Sequence, residues 1–191
     1  LQDARAWYPE HDDVHGFGHI ERVYRLCQKI GQVEGADMEI LLTAALLHDA
    51  QGSHPGGNSR DDHHLRSADF AGEVLSGMGW HAEKIALVQH CIRAHRYRKE
   101  DIPESLEAKV LFDADKLDVI GAVGVVRALV YAFQAGAPAY TQPSGQFLEH
   151  GKTQEGEPHS AYHEYLFKLK NISARLITPA ARAIAAERQA F

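Results

Sequence analysis

The chain has 191 residues, of which 45% are hydrophobic, and this composition suits one compact domain with a sizeable core. Its formal net charge of −6 argues against a general nucleic-acid-binding surface, so a nucleic-acid polymer is not expected as a partner. The two cysteines, Cys27 and Cys91, form no CxxC motif and indicate a reducing, cytoplasmic setting. Thirteen histidines are the unusual feature of the composition and point towards imidazole chemistry.

Apolar residues recur at intervals of three and four, whereas period-two alternation is scarce, so the sequence predicts helices throughout. In chain order, the predicted helices cover residues 19–34, 37–50, 61–78, 81–96, 105–118, 119–135, 160–175 and 179–190. Asp37 is expected to cap the second of these, and Thr178-Pro179 to start the last. Gly35, Gly77 and Gly79 are expected at helix ends.

Residues 51–60 and 137–160 are rich in Gly, Pro and polar side chains and are predicted as loops, the second long enough to be mobile or to act as a lid. The longest apolar run, 119–133, is short for a membrane span and contains Arg127, so we predict a core helix there and no membrane partner. We find no repeat of fixed period and no linker long enough to divide the chain. The sequence therefore predicts a single all-α domain.

The helix before His48 is apolar on nearly every face, which predicts burial on all sides. It ends in the adjacent ionisable residues His48 and Asp49, whose burial costs several kcal/mol without partners. One explanation is a satisfied core histidine beside a helix-terminal aspartate. The other is a site completed by residues elsewhere, and His19, which opens another apolar helix, is the first candidate.

Three aspartates interrupt the helix predicted over 105–118, where burial would again be costly without a cation. These are Asp113, Asp115 and Asp118. Neutral imidazoles and carboxylates together suit a divalent transition metal such as Mn, Fe or Zn. Because helices that each bring one or two such ligands can build a metal site in a bundle core, the residues favour a divalent-metal site.

The order of a histidine, an adjacent His-Asp pair and a distant aspartate resembles the HD-domain metal-dependent phosphohydrolases, in their bacterial YpgQ/YedJ-type branch. The likeness covers nearly the whole chain through HGFGHIERVYRL, LLTAALLHDA, IRAHRY, DADKLDVIGAVGVVRAL and LFKLKNISARLITPAARAIAAERQAF. The resemblance implies that His19, His48, Asp49 and Asp115 are the metal ligands.

It also implies an all-α helical HD-domain bundle with the metal site in its core. Residues 1–191 would form this single HD domain, with a catalytic core at about 15–135 and C-terminal helices at about 160–190. Asp113 points to a different side of its helix from Asp115 and is expected to be a local cap or hydrogen-bond partner. Asp118 could support a metal ligand from behind, and we leave this open beside a structural role.

Further histidines are candidates around the metal. The family often places one near the start of a helix such as 61–78, and His64 fits that position better than His63. His95 occupies the place where dinuclear relatives have an additional ligand. The imidazoles of His64 and His95 either hydrogen-bond the substrate phosphate beside one ion or help to hold a second ion. We prefer the former, because no extra carboxylate is clearly placed for a second cation.

Arg96, Arg98 and Lys99 could steer phosphate, although a solvated basic face is an equal alternative. The remaining histidines are expected on loops or exposed helix faces, and they are His11, His15, His54, His63, His81, His150, His159 and His163.

The resemblance implies a cytoplasmic hydrolase in which a metal-activated water attacks phosphorus. The expected catalytic residues are Asp49, His64, His95 and Lys116, and the expected substrate contacts are His64, His95, Lys116 and Arg96. The expected cofactor is a divalent ion, Mn²⁺ first, with Mg, Fe, Co, Ni or Zn as alternatives.

The expected substrate is a small phosphorylated molecule, a nucleotide, with (d)NTP cleaved to (d)NMP and pyrophosphate. A 5′-nucleotidase-type phosphomonoesterase and a non-catalytic nucleotide-binding regulator are the alternatives, and the chain is expected as a monomer or homodimer. Residues 50–52 lack the acidic side chains that follow His-Asp in the ppGpp-hydrolase and 5′-nucleotidase branches, which argues against transferring those substrates. A GYP motif is absent from the sequence, which argues against the cyclic-di-GMP branch.

Overall fold

The computed structural model describes residues 3–8, 16–52, 62–96 and 102–190, and within these ranges it contains helices and turns but no strand. The α-helices are α1 Phe17–Glu34, α2 Met38–Leu47, α3 His63–Gly77, α4 Ala82–Ala94, α5 Leu106–Leu117, α6 Gly121–Gln134, α7 Gly145–His150, α8 Ala161–Phe167 and α9 Pro179–Gln189. Three short 3-10 helices cover Asp3–Trp7, Leu169–Asn171 and Ser173–Arg175. The predicted all-α fold is confirmed.

Local sequence signals account for several helix ends. The carboxylate of Asp37 accepts hydrogen bonds from the backbone N–H groups of Glu39 and Ile40, at 2.9 and 3.2 Å, which confirms the predicted cap. Gly35 ends α1 at a φ of 80°, a conformation that favours glycine. Thr178 precedes Pro179 at the start of α9, but its side chain makes no capping bond. The single helix predicted over 160–175 is instead α8 followed by two 3-10 turns.

Helices α1 to α5 form the main body of the fold. Helices α1, α2, α4 and α5 pack against one another, α3 packs mainly on α4, and α9 closes over α1 and α5. Leu41, Ala44 and Ala45 of α2 have no solvent exposure, as its apolar sequence predicts. The end of α2 therefore delivers residues 48 and 49 into the interior.

Helix α6 corrects the prediction that the apolar run 119–133 forms a core helix. It buries Gly124, Arg127 and Ala132, while Val126 and Phe133 are 60% and 61% exposed. The reason is its position, because α6 packs on α8 and α9 beside the main body instead of within it. Among the described residues, no single helix has the length and apolar character of a membrane span. Helices α5 and α6 meet the length and composition test only together, as a pair bent by 70°.

The predicted loop over 137–160 contains helix α7 and is tied together by Glu157. The Glu157 carboxylate accepts hydrogen bonds from the backbone N–H groups of Ser144 and Gln154, from the Ser144 hydroxyl and from Nε2 of His163, at 2.6–2.9 Å. His163 is fully buried in α8, whereas the sequence predicted a loop or an exposed helix face for it. Burial is tolerated because both ring nitrogens have partners, Nδ1 bonding Ser160 at 2.7 Å.

Candidate metal centre

Three helices bring His19, His48, Asp49 and Asp115 together in the interior. Nε2 of His19 lies 3.4 Å from Nε2 of His48 and 3.4 Å from Oδ1 of Asp115. Oδ2 of Asp49 lies 3.9 Å from Nε2 of both histidines. Ligands bound to one ion at about 2.0–2.2 Å stand at such separations from each other, so these side chains fit a metal ion.

The orientation of each imidazole supports metal binding. Nδ1 of His48 lies 2.9 Å from the carbonyl oxygen of Ala45. Because a carbonyl oxygen can only accept, Nδ1 carries the proton and donates it, and Nε2 offers its lone pair to the centre. Nδ1 of His19 is bonded in the same manner to Oδ2 of Asp118, at 2.8 Å.

A second group of candidate ligands lies beside the first. Oδ1 of Asp49 is 3.2 Å from Nε2 of His63 and 3.6 Å from Nε2 of His95. These three side chains are all buried and could also hold a cation. The sequence showed no extra carboxylate for a second ion. In the structure, Asp49 is shared between the two groups and can serve as that carboxylate.

The structure places His63, and not His64, in this second group. His63 is 4% exposed, while the ring of His64 lies outside both groups, 5.7 Å from the ring of His63. Helical spacing could have distinguished His63 from His64, because His63 is four and eight residues before the buried Ser67 and Ala71 of α3. His64 is rotated about 100° away from that buried face.

Charge at the centre favours ionised carboxylates. Burial raises the pKa of Asp49, but His48, His63 and His95 outweigh burial and hold this pKa well below its usual value. Burial likewise raises the pKa of Asp115, and Lys116 and His19 outweigh it and lower the pKa well below its usual value. Both carboxylates are therefore charged and available to a cation at neutral pH.

The imidazoles differ in their protonation. Burial and the neighbouring His48 lower the pKa of His95 to about 3, and burial also lowers the pKa of His48. Burial lowers the pKa of His19, but hydrogen bonds with Asp115 and Asp118 outweigh it, so that the pKa is raised overall. His48 and His95 are thus neutral at pH 7, the state in which imidazole binds metals.

Two predicted substrate contacts lie at the edge of the centre. Nζ of Lys116 donates to Oδ2 of Asp115 at 2.6 Å and to the carbonyl oxygen of His95 at 3.2 Å. Nη1 of Arg96 is 3.2 Å from Nδ1 of His63. Both cations therefore lie beside candidate ligands, while Arg98 and Lys99, like His11, His15 and His54, lie outside the described residues.

Behind His19, the carboxylate of Asp118 accepts hydrogen bonds from two arginines. Sequence reasoning did not predict these contacts. Nε of Arg22 donates to Oδ1 at 2.7 Å, and Nη1 of Arg127 donates to Oδ2 at 2.6 Å. Asp118 thus supports His19 from behind, one of the two roles left open. Asp113 lies elsewhere and accepts hydrogen bonds at 2.7–2.9 Å from the backbone of Ile177 and from Thr178, which confirms it as a hydrogen-bond partner.

Comparison with known proteins agrees with this architecture. The HD domain family model matches residues 16–120, which include all the candidate ligands, and the chain therefore belongs to the HD-domain family. It is similar to YpgQ of Bacillus subtilis strain 168, with 33% identity across all of this chain and 87% of that protein.

Solved structures give the same result. The crystal structure of B. subtilis YpgQ in complex with ADP has a TM-score of 0.73 and 31% identity, over 100% of this chain and 90% of that one. An HD-superfamily hydrolase from an uncultured Thermotogales bacterium has a TM-score of 0.64 and 26% identity, over 100% and 83%. The fold, site and relatives define a hydrolase of the metal-dependent phosphohydrolase class.

Proposed function

We propose that this protein is a nucleotide pyrophosphohydrolase that cleaves (d)NTP to (d)NMP and pyrophosphate, with Mn²⁺ as its preferred ion. The observation that carries the proposal is the convergence of His19, His48, Asp49 and Asp115 at metal-binding separations in the interior. The ADP complex of the related YpgQ supports a nucleotide as the ligand. We place the activity in the cytoplasm, since the two buried free thiols suit a reducing compartment.

His19, His48, Asp49 and Asp115 would hold the ion. When bound, a divalent ion lowers the pKa of a coordinated water and offsets charge on phosphate oxygens. Asp118 fixes the ring of His19 by accepting its Nδ1–H. Lys116 and Arg96 bring positive charge to the edge of the centre, where they would bind and orient the phosphate chain.

The geometry supports a different role for His95 from the one preferred from sequence. Its Nδ1–H donates to the carbonyl oxygen of Ile92, and its pKa is lowered to about 3, so its Nε2 has no proton for a phosphate near neutral pH. We therefore propose that Asp49, His63 and His95 hold a second ion, for which Arg96 must release Nδ1 of His63 so that this nitrogen carries the proton and Nε2 becomes a ligand. In this arrangement Lys116, which donates to the candidate ligand Asp115 at 2.6 Å, would be the proton donor, and His64 would contact the substrate further from the ions.

The reaction is tested by incubating the Mn²⁺-loaded protein with a panel of nucleoside triphosphates and monophosphates. Pyrophosphate with a monophosphate product is the expected result. Release of orthophosphate from monophosphates would favour the 5′-nucleotidase-type alternative, and nucleotide binding without turnover would favour a regulator. The control is the His48→Ala variant, which lacks one candidate metal ligand and should show no turnover. Turnover that persists in this variant would come from a contaminating enzyme.

The number of ions is tested separately by metal analysis after gel filtration. Two Mn²⁺ per chain are expected in the wild type and one in His95→Ala. One ion in both proteins would return His95 to a substrate-binding role.

A further inference from the structure

The turn that contains Asp49 is bonded on both sides by residues that are not themselves candidate metal ligands. On the side of α2, the hydroxyl of Tyr8 donates a hydrogen bond to the carbonyl oxygen of Leu46 at 2.6 Å. On the other side, the backbone N–H of Gln51 donates to the hydroxyl oxygen of Ser67 at 3.2 Å. These two bonds flank Asp49, which lies three residues after Leu46 and two residues before Gln51.

Tyr8 reaches this turn because the N-terminal segment packs against the main body. The segment consists of the 3-10 helix Asp3–Trp7 followed by Tyr8, which is 6% exposed. The ring centre of Trp7 lies 5.5 Å from that of Phe70 in α3, and the ring centre of Tyr8 lies 5.8 Å from that of Phe17 in α1. The segment therefore contacts α1, α2 and α3 at once.

The hydroxyl of Tyr8 fills a gap in the hydrogen bonding of α2. Leu46 lies in the last turn of this helix, where carbonyl oxygens have no partner within the helix. Burial, and then the charge of Asp49, raise the pKa of Tyr8 well above its usual value, so the phenol keeps the proton that it donates. Tyr8 thus fixes the point at which the chain leaves α2.

Ser67 connects the other side of the turn to α3. It is fully buried and lies one helical turn after His63, on the same face of the helix. Because α3 packs mainly on α4 and only slightly on α2, the bond from Gln51 is a direct link between the Asp49 turn and the helix of His63. This link helps to set the distance of 3.2 Å between Oδ1 of Asp49 and Nε2 of His63.

We propose that Tyr8 and Ser67 are positioning residues that act through Asp49, an inference that rests on the metal centre of the proposed function. Oδ2 of Asp49 must face one group of candidate ligands while Oδ1 faces the other. A carboxylate with this double task tolerates little displacement, since its oxygens must stand about 2.0–2.2 Å from an ion. Fixing both sides of the turn keeps the carboxylate in that place.

The test measures Mn²⁺ binding by isothermal titration calorimetry without nucleotide. Tyr8→Phe keeps the ring and removes the hydroxyl, and Ser67→Ala removes the acceptor oxygen. Each should weaken Mn²⁺ binding about tenfold, the lower end of the range for groups that orient metal ligands. The matched controls are Tyr140→Phe and Ser76→Ala, which make the same changes at exposed residues and should bind Mn²⁺ like the wild type.

A double-mutant cycle tests whether the two residues act through Asp49. In an Asp49→Asn background the charge that they position is absent, so Tyr8→Phe and Ser67→Ala should each change the remaining affinity by less than about twofold. Co²⁺ is the probe in this cycle, because nitrogen and oxygen ligands bind it more tightly than Mn²⁺ and the weakened centre stays measurable. A tenfold loss that persists in this background would overturn the inference.

A purely structural role predicts a different result. It would lower the melting temperature but leave the Mn²⁺ affinity of the folded protein unchanged, and wild-type affinity in both variants would therefore overturn the inference. If Ser67→Ala does not fold, Ser67→Cys replaces it. That variant keeps the size of the side chain and should weaken Mn²⁺ binding about threefold, since sulfur is a weak acceptor.

Failure of this inference is distinguishable from failure of the proposed function. A protein whose Mn²⁺ affinity responds to Tyr8→Phe and Ser67→Ala but which releases no pyrophosphate would reject the reaction and keep the positioning role. A protein that releases pyrophosphate while both variants bind Mn²⁺ like the wild type would do the reverse. Absence of Mn²⁺ binding by the wild type would overturn both.

Discussion

Asp49 has one carboxylate oxygen in each group of candidate ligands. Oδ2 faces His19 and His48, and Oδ1 faces His63 and His95. The residue lies in the turn directly after α2, where the chain leaves the helix and can direct its side chain inward. One substitution at this residue therefore affects both groups.

The first prediction concerns Asp49→Asn, which keeps the shape of the side chain but removes its charge. Hydrolysis should fall by at least about a hundredfold, because the ion that activates the water is held less tightly. Steady-state kinetics at saturating Mn²⁺ measure the effect. The matched control is Asp69→Asn on the exposed surface of α3, which should retain wild-type rates. A fully active Asp49→Asn protein would place the reaction elsewhere.

How much of the site could be predicted depended on the distance along the chain between partners. The resemblance to the HD family named four side chains that do converge. The choice between His63 and His64 depends on which face of α3 is buried. The spacing of apolar residues along α3 identifies that face. Arg22 is 96 residues from its partner Asp118, and neither composition nor spacing indicates that pairing. Such contacts depend on how helices are arranged, which local patterns do not specify.

At the scale of elements, the turn between α5 and α6 depends on Gly124. A Cβ atom at this position would lie 2.3 Å from the carbonyl carbon and oxygen of Val119, which are backbone atoms that cannot move aside alone. The glycine thus lets α6 begin directly after the turn that follows α5. This close approach sets the position of Arg127, one turn further along α6.

The second prediction is that Gly124→Ala destabilises the protein by about 1–3 kcal/mol, the range for overpacking in a tight interior. It should also weaken Mn²⁺ binding, because Arg127 moves relative to Asp118. Gly77→Ala is the control. Gly77 lies at the end of α3 with nothing near its added Cβ, so this variant should match the wild type or gain up to about 1 kcal/mol. Urea unfolding and Mn²⁺ titration provide both measurements, and equal stability of the two variants would contradict the prediction.

The Glu157 cluster is the element-scale feature that responds to pH. Hydrogen bonds, first from His163 and then from Ser144, lower the pKa of Glu157 to about 2. Since the folded pKa lies below the unfolded value, the ionised carboxylate stabilises the fold above the unfolded pKa. This contribution is lost as the pH falls from about 4.5 towards 2.

The third prediction follows from that sign. Glu157→Gln should melt below wild type at pH 7, and the difference should shrink steadily as the pH falls below about 4.5. Thermal melts followed by circular dichroism at several pH values measure this difference. Glu155→Gln, an exposed neighbour, should show no such trend. A difference that is constant with pH would mean that the charge of Glu157 does not hold the segment.

Helix positions were predicted well and helix environments less well, and α6 shows why. Periodicity identified it to within two residues at each end. Its apolar composition suggested burial, yet α6 lies to one side of the main body with Val126 and Phe133 exposed. Composition reports what a helix could bury, whereas its actual burial depends on which neighbours reach it.

At the scale of the whole molecule, the candidate ligands come from every part of the main body. His19 belongs to α1, His63 to α3 and Asp115 to α5, while residues 48 and 95 directly follow α2 and α4. An ion bound at their meeting point would connect five helices at once. Metal binding should therefore be linked to the stability of the entire fold.

The fourth prediction is that Mn²⁺ at a hundredfold excess over its dissociation constant raises the free energy of unfolding by about 2.7 kcal/mol. Urea unfolding with Mn²⁺ and with EDTA gives the two values. Asp49→Asn should gain much less from the same Mn²⁺ concentration. If wild type unfolds identically with and without metal, these helices do not share an ion.

The carboxylate shared by Arg22, Arg127 and His19 has a consequence for how the sequence can change during evolution. Loss of one arginine leaves Asp118 with the other, whereas loss of the Asp118 carboxylate removes the acceptor that both arginines share. Substitutions at these positions are therefore epistatic, with coupling of about 0.5–3 kcal/mol expected for residues in one network. Evolution can therefore replace one of the arginines first without a large loss of stability. Replacing Asp118 first produces an unstable variant of the protein.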